Sequence, residues 1–262
     1  MAEQIYTYRD PSFNLNQAYD YTLLMQIDAS SFSYAITFEK QLLAWGTNCN
    51  LNELDGDLSA DYKKVIIGLP ANGFSLIPAV IFDKEQITGY ARLLDVKPAE
   101  KVLVQQLDDQ NFIIYKVDEK IIAAVEKFGL ANTVYLYEGW IRAIAQNDPE
   151  ENSIYINLNH NKADFLYFKN GNIRFYNSFE YATTDDLAYF AALVAEELEL
   201  VPGDTTLKLS GDTPDDAPNK LSQFFKEVAF NSSGALYLPD SIPTHQIMAL
   251  AALSLCGSSE EL

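Results

Sequence analysis

The chain has 262 residues, of which 48% are hydrophobic, so it can bury a sizeable core and is not an intrinsically disordered protein. Its 18 Lys and Arg residues stand against 37 Asp and Glu residues, which gives a formal net charge of -19. Such a charge repels nucleic-acid phosphates and anionic lipid surfaces, so we expect neither as a partner.

Metal and catalytic side chains are scarce. The two cysteines and two histidines lie far apart in the sequence, without the spacing of a metal site: Cys49, Cys256, His160 and His245. We expect free thiols, no metal and no Ser/His or Cys/His catalytic pair. The first twenty residues lack the apolar run of a secretory signal, so the sequence predicts a cytoplasmic protein.

The first half of the chain begins with three strand-like runs, broken at residues 28–30 and 39–41. Two further strands follow at 65–70 and 74–82, then a helix over 84–94 and a strand pair at 102–107 and 112–117. A helix over 118–129, a strand at 133–137 and a helix over 139–146 complete this half.

The second half repeats the opening meander, with breaks at 157–161 and at Lys169-Asn170-Gly171, which is a hairpin signal. We then expect a helix over 185–200, a strand at 205–211, a helix over 218–230, a strand at 235–239 and a final helix. The last helix includes the apolar run 247–256, which is about half the ~20 residues that cross a bilayer. We expect this helix to lie buried against the sheet of the second half.

The two halves share a plan, because their opening meanders recur at about half the chain length when Asp28 is placed on Asn157. Repetition at this spacing indicates a duplicated domain rather than a solenoid. The polar run 147–152 is the expected hinge. We therefore predict a first lobe with an insertion over residues 1–148 and a second lobe over residues 149–262.

A meander followed by alternating helices and strands resembles the ribonuclease H-like plan, and two copies resemble the actin-like ATPase superfamily. The expected fold is α/β, with two ribonuclease H-like lobes of βββαβα type around a central cleft. The runs IDASSFSYAI and YINLNHNKADFLYFKNGNIRF resemble the phosphate loops of PilM/GspL-type pilus assembly and secretion proteins. The phrases LLMQIDASSFSYAI, NTVYLYEGW and HQIMALAALSLC are similar to a bacterial family, domain of unknown function 3822.

The resemblance implies a nucleotide site with an Asp and a Gly in each phosphate loop, to organise Mg²⁺ and to let backbone N–H groups approach the phosphates. The first loop keeps Asp28 but has Ser30 at the Gly position. The second loop has Asn157 and Asn159 in place of both. The resemblance places the degenerate site at these four residues and at Ser31, Glu138, Gly211 and Asp212.

Two of these residues have a second interpretation. Asp212 would put negative charge beside an anionic ligand, which disfavours ATP. Glu138 resembles the Glu that opens the lobe-connecting helix of actin-like proteins, but an acidic residue at a helix N-terminus is also favoured by the helix dipole alone.

Two classes of function follow. The first is a non-catalytic actin-like scaffold that has lost nucleotide binding, needs no cofactor and holds a protein or peptide partner or a second copy of the chain. The second is a divergent ATP-binding protein or sugar-kinase-like phosphotransferase in which Mg-ATP still binds. Fold analogy does not decide between them, because function depends on the site.

Overall fold

The structure is a computed structural model that describes residues 7–51, 56–231 and 234–257. Strands β1 to β14 and helices α1 to α6 are numbered in chain order. The described residues group into two units. Unit 1 contains the chain up to Gly139, the segment Ala235–Leu238 and the residues from Leu250 onward, and unit 2 contains Trp140–Gly234 and Pro239–Ala249.

The main sheet of unit 1 has the strand order β1-β4-β3-β2-β5-β9. The pairs from β1 to β2 are antiparallel, whereas β2, β5 and β9 run parallel to one another. The expected breaks of the first meander are confirmed. These strands are β1 (Thr7–Arg9), β2 (Thr22–Ile27), β3 (Ser31–Phe38), β4 (Gln41–Asn50), β5 (Lys64–Leu69) and β9 (Thr133–Tyr135).

The predicted insertion is a separate antiparallel sheet of order β6-β8-β7, formed by β6 (Gly73–Pro78), β7 (Glu100–Gln106) and β8 (Asn111–Asp118). The helix expected over 84–94 is α1 (Ile87–Ala91), flanked on both sides by a 3-10 turn. Helix α2 (Glu119–Val125) follows the sheet. Ile77, Leu94 and Ile114 form the small core of this region.

Unit 2 contains one five-stranded sheet of order β12-β11-β10-β13-β14. Its strands are β10 (Ser153–Asn159), β11 (Lys162–Lys169), β12 (Asn172–Glu180), β13 (Thr206–Gly211) and β14 (Glu227–Phe230). Helix α4 (Thr184–Glu197) begins with a capping box between Thr183 and Asp186, the reciprocal pair that satisfies free N–H groups at a helix start. The other helices are α3 (Glu138–Ala145), α5 (Ala217–Leu221) and α6 (Thr244–Ala252).

The two units repeat one topology. The order β4-β3-β2-β5-β9 in unit 1 matches β12-β11-β10-β13-β14 in unit 2, with an antiparallel meander followed by two parallel strands in each case. This is the ribonuclease H-like arrangement, so the expected fold of each unit is confirmed. In unit 2 one face of the sheet packs against α4 and α5 through a core that includes Ile156, Phe165, Leu187 and Leu221.

The last strand of unit 2 differs from the prediction. The residues Glu227–Phe230 were expected at the end of a helix but form β14, which pairs parallel with β13. The predicted strand at 235–239 contributes a single bridge, between Tyr237 and Gln41 of unit 1. Short apolar runs fit either a helix or a strand by periodicity alone, and the free edge of β13 decides which run pairs with it.

The end of the C-terminal helix corrects a second prediction. Residues from Leu250 onward group with unit 1 rather than with the sheet of the second half. Leu253 is fully buried, and a Cβ atom on Gly68 of β5 would lie 3.3 Å from its Cδ2 atom. Because apolar residues surround this helix, its sequence pattern does not indicate which side packs on which sheet.

The chain first passes from unit 1 to unit 2 between Gly139 and Trp140, whereas the sequence predicts the boundary between residues 148 and 149. The described helices include none with the length and apolar character needed to span a membrane.

We predict that Gly139→Ala destabilises the protein. A Cβ atom at this position would overlap the backbone carbonyl of Ala252, so the start of α3 and the end of α6 must separate. We expect a loss of about 2–3 kcal/mol in the free energy of unfolding, measured by urea denaturation. Gly89→Ala in α1 is the matched control, because its Cβ would only touch Gln86 at 3.6 Å. The control should be neutral or stabilising, and equal losses in both variants would contradict the packing argument.

We also predict that Glu100 makes unit 1 sensitive to acid. The Lys97 N–H, together with Lys116 and Asn72, lowers the pKa of Glu100 from 4.5 to about 2, against the opposing effect of burial. Lys116 Nζ lies 3.0 Å from Glu100 Oε2. A depressed folded-state pKa stabilises the protein above the unfolded pKa, and this stability is lost as the pH falls from 4.5 toward 2.

The measurement is the free energy of unfolding across that pH range. Glu100→Gln should be less stable than the wild type near neutral pH and should lose less stability on acidification. Glu85→Gln, at an exposed site, should follow the wild-type profile. Parallel profiles for the wild type and Glu100→Gln would refute the assignment.

Candidate functional site

The turn between β2 and β3 holds the first predicted phosphate loop. The Asp28 N–H donates to the Ser31 carbonyl at 2.9 Å, and the Asp28 carboxylate accepts the Ala29 N–H at 2.7 Å. Ser30 is exposed, and its carbonyl accepts the Leu51 N–H at 3.3 Å. Ser30 does not adopt a positive φ. The turn therefore does not require glycine at this position, and Ser30 adds only side-chain bulk.

Glu138 is a core residue of unit 1 at the start of α3, with 2% of its surface exposed. The Gln105 side chain on β7 donates to Glu138 Oε2, and Gln105 Oε1 accepts the Tyr135 N–H at 2.7 Å. Burial, and secondarily the charge of Glu138, raises the pKa of Tyr115. The predicted site residue thus lies in a buried polar contact with the inserted sheet, and no sequence pattern indicates Gln105 as its partner.

The second predicted phosphate loop is the turn between β10 and β11. Its two turn residues are His160 and Asn161, because Asn159 pairs with Lys162 across the strands. His160 adopts the left-handed conformation (φ 50°), and Asn159 does not. The resemblance implies Gly at the position of Asn159. In this chain that position does not have the left-handed backbone that would require Gly.

The hairpin register corrects the proposed equivalence of Asp28 and Asn157. Asp28 bonds to Ser31 directly across a two-residue turn, and the residue in the same place in unit 2 is Asn159. Asn157 lies two residues earlier, inside β10. The two residues share equivalent strands and the same face, but not the same position relative to the turn.

Asn157 belongs to a buried polar cluster in unit 2. Only 1% of its surface is exposed, and its Oδ1 atom accepts a hydrogen bond of 3.2 Å from the Ser210 hydroxyl. The indole N–H of Trp140 donates to the same hydroxyl at 3.0 Å. Asp164, also buried, is the direct cross-strand neighbour of Asn157. Sequence reasoning missed Asp164 and Trp140, although an Asp within the apolar run ADFLYF is a signal for a buried carboxylate.

Gly211 and Asp212 follow the end of β13. Gly211 has a φ of 81°, and a Cβ atom here would overlap the Leu158 carbonyl oxygen, so only glycine fits. That oxygen accepts the Asp212 N–H at 2.8 Å. Asp212 itself is exposed, and its charge adds to burial in raising the pKa of Tyr181. The backbone of Gly211 thus lies close to Leu158 of β10, and the need for glycine here comes from this contact and not from a ligand.

The predicted residues therefore form two groups. Unit 2 brings Asn157, Gly211 and Asp212 together at the ends of β10 and β13. In unit 1, Asp28, Ser30 and Ser31 share one turn, while Glu138 follows β9, two strands away in the sheet. Among the residues that the structure describes, no three His, Cys, Asp or Glu side chains are grouped as a metal site.

A Mg-nucleotide, which the fold implies, requires hard oxygen donors that can reach the ligand. The Asp28 carboxylate lies at the surface turn and accepts its own loop's N–H. The Asn157 amide oxygen is buried and accepts the Ser210 hydroxyl. This donor set is a poor match for a Mg-nucleotide.

Comparison with solved structures gives the fold. A Bacteroides thetaiotaomicron protein of actin-like ATPase fold and unknown function superposes with a TM-score of 0.78 at 20% identity, over 94% of this chain and 99% of that one. Weaker likenesses are EutJ from Carboxydothermus hydrogenoformans (TM-score 0.49, 8% identity, 88% of each chain) and the AlfA filament of B. subtilis (TM-score 0.41, 10% identity, 90% and 98%). The chain has the actin-like ATPase fold.

No curated protein matches the sequence at a significant level. The resemblance to PilM/GspL-type proteins stays a prediction. The profile of one family matches residues 10–228, most of the chain. The chain therefore belongs to the family described as "Protein of unknown function (DUF3822)".

Proposed function

We propose that this chain is a non-catalytic scaffold or interaction protein whose nucleotide site is degenerate. The observation that carries the proposal is the hydrogen bond from Ser210 to Asn157. The resemblance implies a carboxylate at this residue, but it is an amide whose Oδ1 atom accepts the Ser210 hydroxyl. The Trp140 indole donates to that same hydroxyl. A buried polar group that is satisfied inside the protein has little to gain from a ligand.

Both units depart from the pattern that the resemblance implies. In unit 2, Asn157 supplies no charge for Mg²⁺ and Asp212 places a carboxylate beside the Gly211 turn, and in unit 1, Ser30 adds bulk to an exposed turn. If each difference costs about 1–2 kcal/mol, their sum lowers nucleotide affinity by roughly two to four orders of magnitude. We infer that Mg-ATP binds no better than about millimolar.

The net charge of the chain favours a protein or peptide as its partner. A net charge of -19 disfavours nucleic acid and anionic membrane surfaces, so we infer a protein or peptide partner in the cytoplasm. No cofactor is needed for this role.

The second candidate, a divergent ATP-binding protein or phosphotransferase, has one observation in its favour. Asp28 keeps the acidic position of the first loop, and the exposed Ser30 and half-buried Ser31 lie beside it. A carboxylate next to two hydroxyls offers oxygen atoms to a hydrated Mg²⁺.

The two candidates predict different thermal shifts with Mg-ATP, Mg-GTP and the diphosphates. A nucleotide at about 100 times its Kd adds ~2.7 kcal/mol of stability, which raises Tm by about 5–10 °C for a chain of this size. For the scaffold we expect about 1 °C or less at ~1 mM nucleotide, because a millimolar Kd yields only about 0.4 kcal/mol.

Asp28→Asn, with Asp109→Asn on the exposed turn between β7 and β8 as matched control, completes the experiment. The scaffold proposal expects both variants to behave like the wild type with nucleotide. A large shift in the wild type that Asp28→Asn removes and Asp109→Asn retains would establish the second candidate in its place.

A further inference from the structure

The outer face of α4 carries an apolar pair among carboxylates. Tyr189 and Leu193 are one helical turn apart, and they leave 62% and 39% of their surface exposed. Helical spacing aligns them with three exposed acidic residues, Asp185, Glu196 and Glu197. We call these five residues the α4 face.

Packing in the core of unit 2 does not explain why Tyr189 and Leu193 are apolar. The opposite side of α4 is already apolar and buried, through Leu187, Ala188, Ala191, Val194 and Ala195. These residues pack with the sheet of unit 2 and satisfy the amphipathic pattern of the helix. Tyr189 and Leu193 therefore add apolar surface that the fold of unit 2 does not use.

A series of aromatic ring contacts connects Tyr189 to the core of unit 2. Phe165 in the core contacts Phe179 with ring centroids 5.6 Å apart, and Phe179 stacks on Phe190 at 4.8 Å. Phe190 in turn meets the edge of Tyr189 at 5.4 Å. A ring that is positioned before binding loses little conformational freedom on contact, and tyrosine is enriched among the residues that dominate interface energies.

The negative charge of the α4 face indicates which kind of partner can bind there. Three of the five residues are acidic, and the neighbouring cation Lys220 is ion-paired with Asp185. A second copy of this chain would bring its own net charge of -19, and nucleic acid or anionic lipid would be repelled as well. A segment that carries Lys or Arg around apolar side chains satisfies both the charge and the apolar pair.

We propose that the α4 face docks a basic, amphipathic segment of a partner protein. The inference deepens the scaffold function proposed above and rests on it, because a scaffold needs a surface that holds its partner. Leucine-type side chains of the segment contact Tyr189 and Leu193, and its cations lie over Glu196 and Glu197.

Three short labelled peptides separate the contribution of charge to binding from the contribution of apolar contact. One alternates Lys and Leu on a helical pattern, the second replaces Lys by Glu, and the third replaces Leu by Ser. Fluorescence anisotropy with the full chain measures binding at low and at physiological salt. We expect the Lys/Leu peptide to bind at least about tenfold more tightly than either of the others, and to weaken as salt screens the charges.

Substitutions locate the site. Tyr189→Ala and Leu193→Ala should each weaken the Lys/Leu peptide by about tenfold or more, and Glu196→Gln with Glu197→Gln should reduce the salt dependence. The matched controls are Tyr19→Ala and Leu130→Ala, at residues with 63% and 47% exposure in unit 1, and Glu119→Gln with Glu126→Gln. The controls should bind like the wild type, and thermal melts confirm that every variant is folded.

Several results would overturn the proposal. Equal losses in the α4 variants and their controls would show that the peptide binds the acidic surface without a defined site. Tighter binding of the Glu/Leu peptide would reverse the assigned chemistry, and a dimer that Tyr189→Ala dissociates would assign the face to a second copy. Each of these results leaves the nucleotide experiment untouched, so failure of the docking surface is distinguishable from failure of the scaffold function.

Discussion

The hydroxyl of Ser210 receives the indole N–H of Trp140 and donates toward Asn157, so one buried group connects α3, β13 and β10. A polar atom in the interior costs free energy unless it finds a partner, and the Ser210 hydroxyl supplies one to both the Trp140 indole and the Asn157 amide oxygen. The parallel pairing of β10 with β13 places Asn157 directly opposite Ser210. The pairing continues to Leu158 and Gly211, where the absence of a side chain lets the two backbones approach.

This cluster bears on the function as well as on the fold. In unit 2 the residue that resembles a phosphate-loop carboxylate is Asn157, and its amide oxygen accepts a hydrogen bond inside the unit. In unit 1 the predicted site residue Glu138 also has a partner within its own unit, because its carboxylate accepts a hydrogen bond from Gln105 of the inserted sheet. Both residues have a hydrogen-bond partner within the unit in which they lie, which supports the scaffold we propose.

A scaffold of this kind needs a recognition surface with its own chemistry. The α4 face combines a tyrosine in ring contact with Phe190 with acidic neighbours, so apolar contact supplies affinity while charge selects the partner. The face lies on a helix that is well anchored by its capping box and by a continuous buried side. Binding there would require no rearrangement of the core of unit 2.

The amino-acid sequence by itself determined the order of elements as far as β13, including both meanders and the hairpin at Asn170 and Gly171, because apolar alternation and turn residues are local signals. It also indicated the family, through phrases such as LLMQIDASSFSYAI and NTVYLYEGW that lie within the matched residues. Tertiary structure decided the rest. The register that separates Asn157 from the turn depends on cross-strand hydrogen bonds, and the choice of Glu227–Phe230 as the last strand depends on the open edge of β13. The packing of Leu253 at Gly68 depends on the space that a glycine leaves on β5, which no local pattern encodes.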